Sequence, residues 1–292
     1  MRIDRRREGS GYKVLTALLL MMAMGSVTLS AGCGRAEKHF KAGEHLAAAG
    51  QYDAAILEYR KAIRQDPRHT RAHNALGIIY GERGLLDAAI AEFRHAVLSD
   101  TTYAMAHYNL GNALKAKHQF QEALFNYQRA LRLDPDLAMA YYSMGNLFFE
   151  IGDRPQAMES YRRALQLQPD YVVCYQAMGD LLIVEEMIEE ALEAHRTAVR
   201  LRPDHPQTLA GLATAFMVTG SPDSAVLYYT QALTMDPGLV FARMNLGGLL
   251  IGRGDAVGAI EQWERVLDIQ PTGALADSIR LNIERARTQL ER

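Results

Sequence analysis

Cysteine is scarce in this sequence, and so is net charge. The 292 residues contain two cysteines, Cys33 and Cys174, and 32 Lys and Arg against 34 Asp and Glu. This balance argues against a nucleic-acid-binding protein, since such proteins carry a basic patch or a high isoelectric point. If Cys33 is modified, Cys174 has no partner for an intramolecular disulfide, and the fold must then be held together by its core alone.

The sequence also lacks the short motifs that mark common active sites. Beyond residue 33 it contains no G-x-x-x-x-G-K-[ST] phosphate loop, no G-x-G-x-x-G, no G-x-S-x-G and no H-E-x-x-H. No segment outside the repeats described below is long enough to form a catalytic domain. These absences predict a protein that is not an enzyme and that needs no cofactor.

The first part of the chain, residues 1–32, forms a segment of its own. Basic residues are concentrated before Val14, and the stretch from Val14 to Leu29 carries no charge. A basic start, an apolar core and small residues at the end predict a secretory signal peptide over residues 1–32. The alternative is an uncleaved transmembrane helix, although such a helix usually needs about 20 apolar residues.

The sequence L-S-A-G-C, which ends at Cys33, resembles the lipobox of bacterial lipoproteins. The resemblance implies that Cys33 is lipidated and becomes the new N-terminus, with residues 33–35 as a short linker. It also implies that Gly34 favours delivery to an outer membrane, facing the periplasm. The remaining alternative is an ordinary cysteine in a signal peptide. Cleavage removes five basic and two acidic residues and leaves 27 Lys and Arg against 32 Asp and Glu.

A sequence period of 34 organises the rest of the chain without insertion or deletion. Alanine occupies block position 20 in all seven blocks, whereas position 8 is glycine, position 24 aromatic and position 32 proline in six blocks each. The exceptions are Ala213 at position 8, His195 at position 24 and Thr101 at position 32. The blocks are residues 36–69, 70–103, 104–137, 138–171, 172–205, 206–239 and 240–273.

This pattern resembles the tetratricopeptide repeat (TPR) family. The resemblance implies an all-α fold, a right-handed superhelical solenoid in which each block supplies a helix A and a helix B. Glycine at position 15 of five blocks indicates the turn between the two helices, because glycine readily adopts the left-handed conformation that ends a helix. His118 and Glu186 replace this glycine in blocks three and five, so we expect those two turns to be built differently.

Residues 274–292 depart from the period and carry an apolar stripe at helical spacing. The stripe predicts a C-terminal capping helix that covers the last apolar face of the array and offers water a charged face. Its residues are Leu275, Ile279, Ile283, Ala286 and Leu290.

In TPR proteins the inner face of the solenoid is lined by helix-A positions 2, 5, 9 and 12. The asparagines at position 9 can donate to and accept from a peptide backbone, and methionine and tyrosine offer adaptable apolar surface. The alternative is that Met105, Met139 and Phe241 pack against neighbouring helices. The resemblance implies a peptide-binding groove that includes Met105, Tyr108, Asn112, Lys115, Met139, Tyr142, Asn146, Phe149, Gln176 and Asp180.

Three histidines, His39, His73 and His107, recur at block position 4. A metal site needs ligands that converge on one ion at about 2 Å, and residues one repeat apart lie on successive repeats. We therefore predict packing roles for these histidines and no metal site. Cys174 is expected to be an inert, packed thiol.

The sequence thus predicts a non-catalytic protein–protein interaction scaffold that is anchored by lipid to a bacterial membrane and binds another protein or a peptide segment, without nucleic acid. It is similar to TPR lipoproteins of Gram-negative bacteria that assist envelope assemblies such as pilus secretins, export systems or cell-wall machinery. The alternatives are a self-associating structural spacer and a non-catalytic partner of a glycosyltransferase or peptidase. The oligomeric state is left open.

Overall fold

The computed structural model describes residues 34–291, and within that range all regular structure is helical. Fifteen α-helices are present, and residues 34–291 contain no β-strand. The predicted signal peptide and the predicted lipidation site, Cys33, lie outside the described residues. None of the helices in the described range is both long and apolar enough to cross a membrane.

The chain divides into two compact units, one ending at Asp136 and the other beginning at Leu137. Odd-numbered helices up to α13 are the helices A and even-numbered helices are the helices B. The first unit holds α1 (34–48), α2 (Tyr52–Gln65), α3 (Thr70–Glu82), α4 (Leu86–Ser99), α5 (Ala104–Ala116) and α6 (Phe120–Leu133). The second holds α7 (Ala138–Glu150), α8 (Arg154–Leu167), α9 (Val172–Val184), α10 (Ile188–Leu201), α11 (Pro206–Val218), α12 (Pro222–Met235), α13 (Val240–Gly252), α14 (Ala256–Ile269) and α15 (Ala274–Leu290).

The helix boundaries repeat with the sequence period. From α3 to α13 every helix A has 13 residues and starts at block position 1. Every helix B has 14 residues and starts at block position 17. The predicted all-α fold with two helices in each block is therefore confirmed.

Helix A and helix B of each repeat approach closely because position 8 carries no side chain. A Cβ atom on Gly145 would lie only 2.6 Å from Cε1 of Tyr161, the aromatic residue at position 24 of the same repeat. At Gly111 the corresponding distance to Cε1 of Tyr127 is 2.7 Å. A well-packed core has no room for an extra methyl group at such distances. The ring at position 24 therefore fills the gap that glycine at position 8 leaves, as the pattern predicts.

The turns after helix A correct one of our expectations. The glycines at position 15 adopt left-handed backbone angles, with φ of +85° at Gly152. His118 and Glu186 adopt the same conformation, with φ of +56° and +59°. Their turns also close with the same hydrogen bond: the Met187 N–H donates to the Leu182 carbonyl at 2.9 Å, as the Asp153 N–H does to that of Phe148 at 2.8 Å. The prediction that these two turns are built differently was wrong, because the cooperative packing of the helix pair imposes the left-handed residue on a side chain that disfavours it.

The C-terminal helix α15 packs against α14. Ile279, Ile283 and Ala286 are buried with Trp263 and Val266 of α14, as the apolar stripe predicts. Leu290 is an exception, because it lies in the last turn of the helix and is 53% exposed. Ala276 is fully buried although it lies outside the predicted stripe. The charged side is tied to α14 by Arg287, whose guanidinium lies 2.8 Å from the Glu264 carboxylate.

Candidate functional site

The candidate site is the surface that positions 2, 5, 9 and 12 of the helices A form within each unit, which we call the helix-A face. The ten predicted groove residues lie on α5, α7 and α9, and none of them is buried. Met139 is 38% exposed, and Phe241, at the same block position of repeat seven, is 76% exposed. Met139 and Phe241 are therefore open to solvent. The partly buried residues are Met105, Tyr108, Asn112, Lys115, Tyr142, Asn146, Phe149 and Gln176.

Repeats three and four contain the same tyrosine–asparagine pair. The hydroxyl of Tyr127 donates to Oδ1 of Asn112 at 2.8 Å, and that of Tyr161 donates to Oδ1 of Asn146 at 2.7 Å. Both tyrosines at position 24 are fully buried. The ring centroid of Tyr142 lies 6.2 Å from that of Tyr161, and the corresponding pair in repeat three has the same separation. Each asparagine is thus held in one orientation by its own repeat.

This hydrogen bond narrows the chemistry that the asparagines can offer. Burial raises the pKa of the Tyr161 hydroxyl well above its usual value, so this group remains a donor. The amide oxygen of Asn146 therefore serves as the acceptor, and its NH₂ group is directed to other partners. The expectation that Asn112 and Asn146 both donate to and accept from a peptide becomes more specific: each one presents a donor.

Repeat five has a histidine and an aspartate at these two positions. Nε2 of His195 lies 3.5 Å from Oδ1 of Asp180, and His195 is fully buried. Neither ring nitrogen of His195 has a hydrogen-bond partner among residues 34–291. Burial lowers the pKa of His195 to about 4, so the imidazole is neutral near pH 7. Loss of solvation raises the pKa of Asp180 to about 6, although 59% of its side chain is exposed.

The His195 ring is wedged between two glycines. A Cβ atom on Gly179 would lie 2.6 Å from its Nε2, and one on Gly211 of α11 would lie 3.1 Å from its Nδ1. The same position on Gly211 is 3.9 Å from Nε2 of Gln176. Glycine at position 211 thus lets α11 lie against the imidazole, and Gln176 and Asp180 lie on the same helix beside it.

On the helix-A face of repeats one and two, charged side chains pair with one another. The Arg71 guanidinium lies 3.2 Å from the Glu44 carboxylate and 3.8 Å from that of Glu37. It also stacks over the Phe40 ring, 4.4 Å from the centroid. Sequence reasoning did not identify this cluster, although its residues occupy positions 2, 5 and 9 of block one and position 2 of block two.

The recurring histidines at position 4 are oriented by position 23 of the same repeat. Nδ1 of His73 lies 2.7 Å from the Glu92 carboxylate, and Nδ1 of His107 lies 3.1 Å from Oδ1 of Asn126. Within residues 34–291 no three His, Cys, Asp or Glu side chains are placed to hold a metal ion. Cys174 is fully buried, and burial raises the pKa of its thiol to about 12.

A cavity of about 570 Å³ lies among α8, α9 and α10, away from the helix-A face. Its apolar wall includes Met158, Met178 and Met187. The cavity also borders on Ala194 and Thr197, where most other repeats carry larger side chains. No predicted groove residue lines it.

The sequence contains a signal for the contact between block positions 9 and 24, which our predictions did not use. Positions 9 and 24 change together: asparagine accompanies tyrosine in repeats three and four, and aspartate accompanies histidine in repeat five. Ile78 accompanies Phe93, and Gly248 accompanies Trp263. The polarity at position 9 thus follows that of the ring at position 24.

Known families and structures match most of the described chain. A family model described as "TPR repeat" matches residues 111–152, and models described as "Tetratricopeptide repeat" match residues 40–102, 138–171 and 177–240. No curated protein matches at a significant level.

Three solved structures illustrate the similarity. The crystal structure of MamA is 30% identical over 55% of this chain and 94% of its own, with a TM-score of 0.50. The pilF protein of Pseudomonas aeruginosa is 22% identical over 71% of this chain and 95% of its own, with a TM-score of 0.63. A tetratricopeptide repeat protein from Parabacteroides merdae ATCC 43184 is 15% identical over 87% and 99%, with a TM-score of 0.69. The last two likenesses concern the fold alone.

Proposed function

Because the chain belongs to the tetratricopeptide repeat family, whose fold serves protein–protein interaction, we propose that it is a non-catalytic adaptor. The adaptor binds an extended polypeptide segment on the helix-A face of its repeats. The observation that carries this proposal is the repeated tyrosine–asparagine pair, which orients the NH₂ groups of Asn112 and Asn146.

Oriented amide donors suit the carbonyl oxygens of a peptide backbone. A backbone carbonyl is present in every residue of a partner, so such donors bind a chain without reading its sequence. Because each asparagine is already held by a buried tyrosine, little side-chain entropy is lost on binding. The exposed apolar side chains, such as Met139, supply adaptable contacts beside the donors.

The adaptor acts, in this proposal, at a bacterial membrane surface. Support comes from the sequence alone: a basic and apolar leader followed by the lipobox-like stretch that ends at Cys33. Two or more acyl chains on one cysteine give stable anchoring, since each buried CH₂ contributes about 0.8 kcal/mol. We place the protein at the outer membrane, facing the periplasm, where it assists assembly of an envelope complex. Intact-mass measurement of the protein from bacterial membranes tests this, and an unmodified Cys33 would refute it.

The binding proposal is tested with the double variant Asn112→Asp/Asn146→Asp. This change keeps the oxygen that accepts from each tyrosine and removes both NH₂ donors. We expect recovery of membrane proteins that co-purify with the full chain to fall by about tenfold, since loss of two hydrogen bonds of about 1 kcal/mol each weakens binding to that extent or more. Quantitative mass spectrometry provides the measurement.

The control is Gln128→Glu/Gln156→Glu, which adds the same two charges at exposed positions of helix B in repeats three and four. It should leave recovery unchanged. Equal recovery with the asparagine variant and the wild type would contradict binding at the helix-A face. A self-associating spacer, the second candidate, predicts a concentration-dependent oligomer of the full chain in sedimentation analysis.

A further inference from the structure

Asp180 differs in kind from the rest of the helix-A face in the second unit. Among positions 2, 5, 9 and 12 of residues 138–273 it is the only charged residue. Nε2 of His195 lies 3.5 Å from its Oδ1. No Lys or Arg within residues 34–291 forms an ion pair with it. The face therefore carries one carboxylate without a cationic partner of its own.

In repeat one, a carboxylate at the same block position is paired with an arginine. Glu44 occupies position 9 of repeat one, and Arg71, at position 2 of the next helix A, pairs with it at 3.2 Å. For Asp180, at position 9 of repeat five, the residue equivalent to Arg71 is Gln207, which is exposed. The place taken by an internal arginine in the first unit is therefore taken by an uncharged side chain in the second.

His195 does not supply the missing charge. Its imidazole is fully buried and is in the neutral form near pH 7 because burial disfavours the cation. Both ring nitrogens lack a hydrogen-bond partner within the described chain, and Nε2 points toward Asp180. Buried polar atoms of this kind are rarely left without a partner in a folded protein, so the pair is an incomplete polar site.

We infer that Asp180, with the buried His195 behind it, is the recognition point for a lysine or arginine side chain of the bound polypeptide. The inference rests on the proposed binding function and adds the chemistry that selects the partner. The exposed Val173 and the half-buried Gln176 and Ile183 occupy the other helix-A face positions of α9. A segment that fits has one basic residue between apolar residues.

The physical basis is the partial desolvation of Asp180. A carboxylate with one side against protein loses part of its hydration and is more costly to ionise, and a cation placed beside it offsets that cost. The bound cation also fixes the carboxylate, which then accepts from Nε2–H of His195. An arginine or lysine thus completes a site that the protein leaves unfinished, in the same way as Arg71 completes the site at Glu44.

The test uses the full chain and a library of nine-residue peptides. The central residue is lysine, arginine, norleucine or glutamate, and the flanking positions are random mixtures of Leu, Val, Ala and Ser. We expect wild-type protein to retain lysine- and arginine-centred peptides about tenfold better than norleucine-centred ones, as for a charge-assisted hydrogen bond. Asp180→Asn should abolish that preference, whereas Asp268→Asn on helix B should not.

A second variant imitates the first unit. Gln207→Arg places an arginine at the block position that Arg71 occupies in repeat two. This arginine should pair with Asp180 and remove the preference for basic peptides, while the carboxylate itself is retained. Gln231→Arg, an exposed position on α12, is the matched control and should bind as the wild type does.

A basic preference that survives Asp180→Asn overturns the inference, and so does retention of all four peptide classes to the same extent. In either case the proposed function stands, because peptides are still bound. If the wild-type protein retains no peptide of any class, both the inference and the binding function are refuted.

Discussion

Repeats four and five, both in the second unit, have the same packing but different polar residues where block positions 8, 9 and 24 meet. Gly145 and Gly179 leave the same gap, since a Cβ on either would lie 2.6 Å from the ring at position 24. The polar contact differs: the Tyr161 hydroxyl donates to Asn146 at 2.7 Å, whereas His195 remains 3.5 Å from Asp180. Packing between positions 8 and 24 is thus retained while the polar contact between positions 9 and 24 changes.

This difference shows that the packing between positions 8 and 24 and the hydrogen bond between positions 9 and 24 can vary independently. A ring of suitable size is what the helix pair requires, and a histidine meets that requirement as well as a tyrosine does. The hydrogen bond to position 9 is an additional feature, so repeat five can dispense with it. Where it is absent, the Asp180 carboxylate remains exposed, and the buried ring nitrogens of His195 have no hydrogen-bond partner within residues 34–291.

The largest expected effect comes from deleting the two rings. Tyr161→Ala removes a fully buried ring and its hydrogen bond, so we expect a loss of about 3–5 kcal/mol in the free energy of unfolding. His195→Ala should cost less, about 1–3 kcal/mol, because it also removes two buried nitrogens that have no partner. Urea unfolding followed through Trp263, the single tryptophan and a buried residue of the second unit, measures both.

Tyr161→Phe isolates the hydroxyl and should cost about 1 kcal/mol. Equal losses for Tyr161→Ala and His195→Ala would show that the imidazole is as well satisfied as the phenol, and would end the distinction between the two repeats.

Variants in the turns of the same two repeats should change the free energy of unfolding by smaller amounts and with opposite signs. Glu186 and Gly152 both have positive φ, and that conformation costs a residue other than glycine about 1 kcal/mol. We therefore expect Glu186→Gly to raise the free energy of unfolding by about 1 kcal/mol and Gly152→Ala to lower it by a similar amount. Glu185→Gly, where φ is −86°, is the control and should destabilise. A loss of stability with Glu186→Gly would mean that the glutamate side chain stabilises the turn.

The smallest expected effect is the contribution of Asp180 to the pH dependence of stability, which has the opposite sign to that of His195. The folded pKa of Asp180 is raised to about 6 from its usual 3.8, so its contribution to stability is full below pH 4 and is lost as the pH rises through 6. For His195 the folded pKa is lowered to about 4 from 6.5. Its contribution is therefore present above pH 6.5 and is lost as the pH falls toward 4.

Asp180→Asn removes the contribution of Asp180 to the pH dependence of stability. The variant should gain stability relative to the wild type as the pH rises from 4 to 7, by less than about 1 kcal/mol because solvent screens a side chain that is 59% exposed. Urea midpoints at half-unit pH intervals would show this. A difference that is constant with pH would mean that Asp180 titrates as it does in the unfolded chain.

Much of the fold was predictable because its determinants are local and recur in every repeat. The helix boundaries, the contact between glycine and ring within each repeat and the stripe of α15 all follow from spacing. The prediction for the turns at His118 and Glu186 was wrong because it considered only the backbone preference of a single residue. The geometry of the whole helix pair is the stronger constraint. Leu290 was wrongly assigned to the buried stripe, because residue spacing does not show how far the contact between α15 and α14 extends.

The candidate site was only partly predictable. The resemblance to TPR proteins indicated which residues share the helix-A face, and Asp180 was among them. It did not indicate that the oxygen of Asn146 already accepts from Tyr161, or that Arg71 pairs with Glu44 while Asp180 remains without a cation. These facts depend on the relative positions of side chains that lie on different helices, far apart in the sequence.

By itself, the sequence determined the repeat and the helix pairs, because both follow from a periodic pattern of residues. Only the tertiary structure decided which polar groups on the helix-A face are satisfied. The difference between 2.7 Å at Asn146 and 3.5 Å at Asp180 separates a completed hydrogen bond from an open one. Such a distance is set by how two helices pack, and residue spacing alone does not encode it.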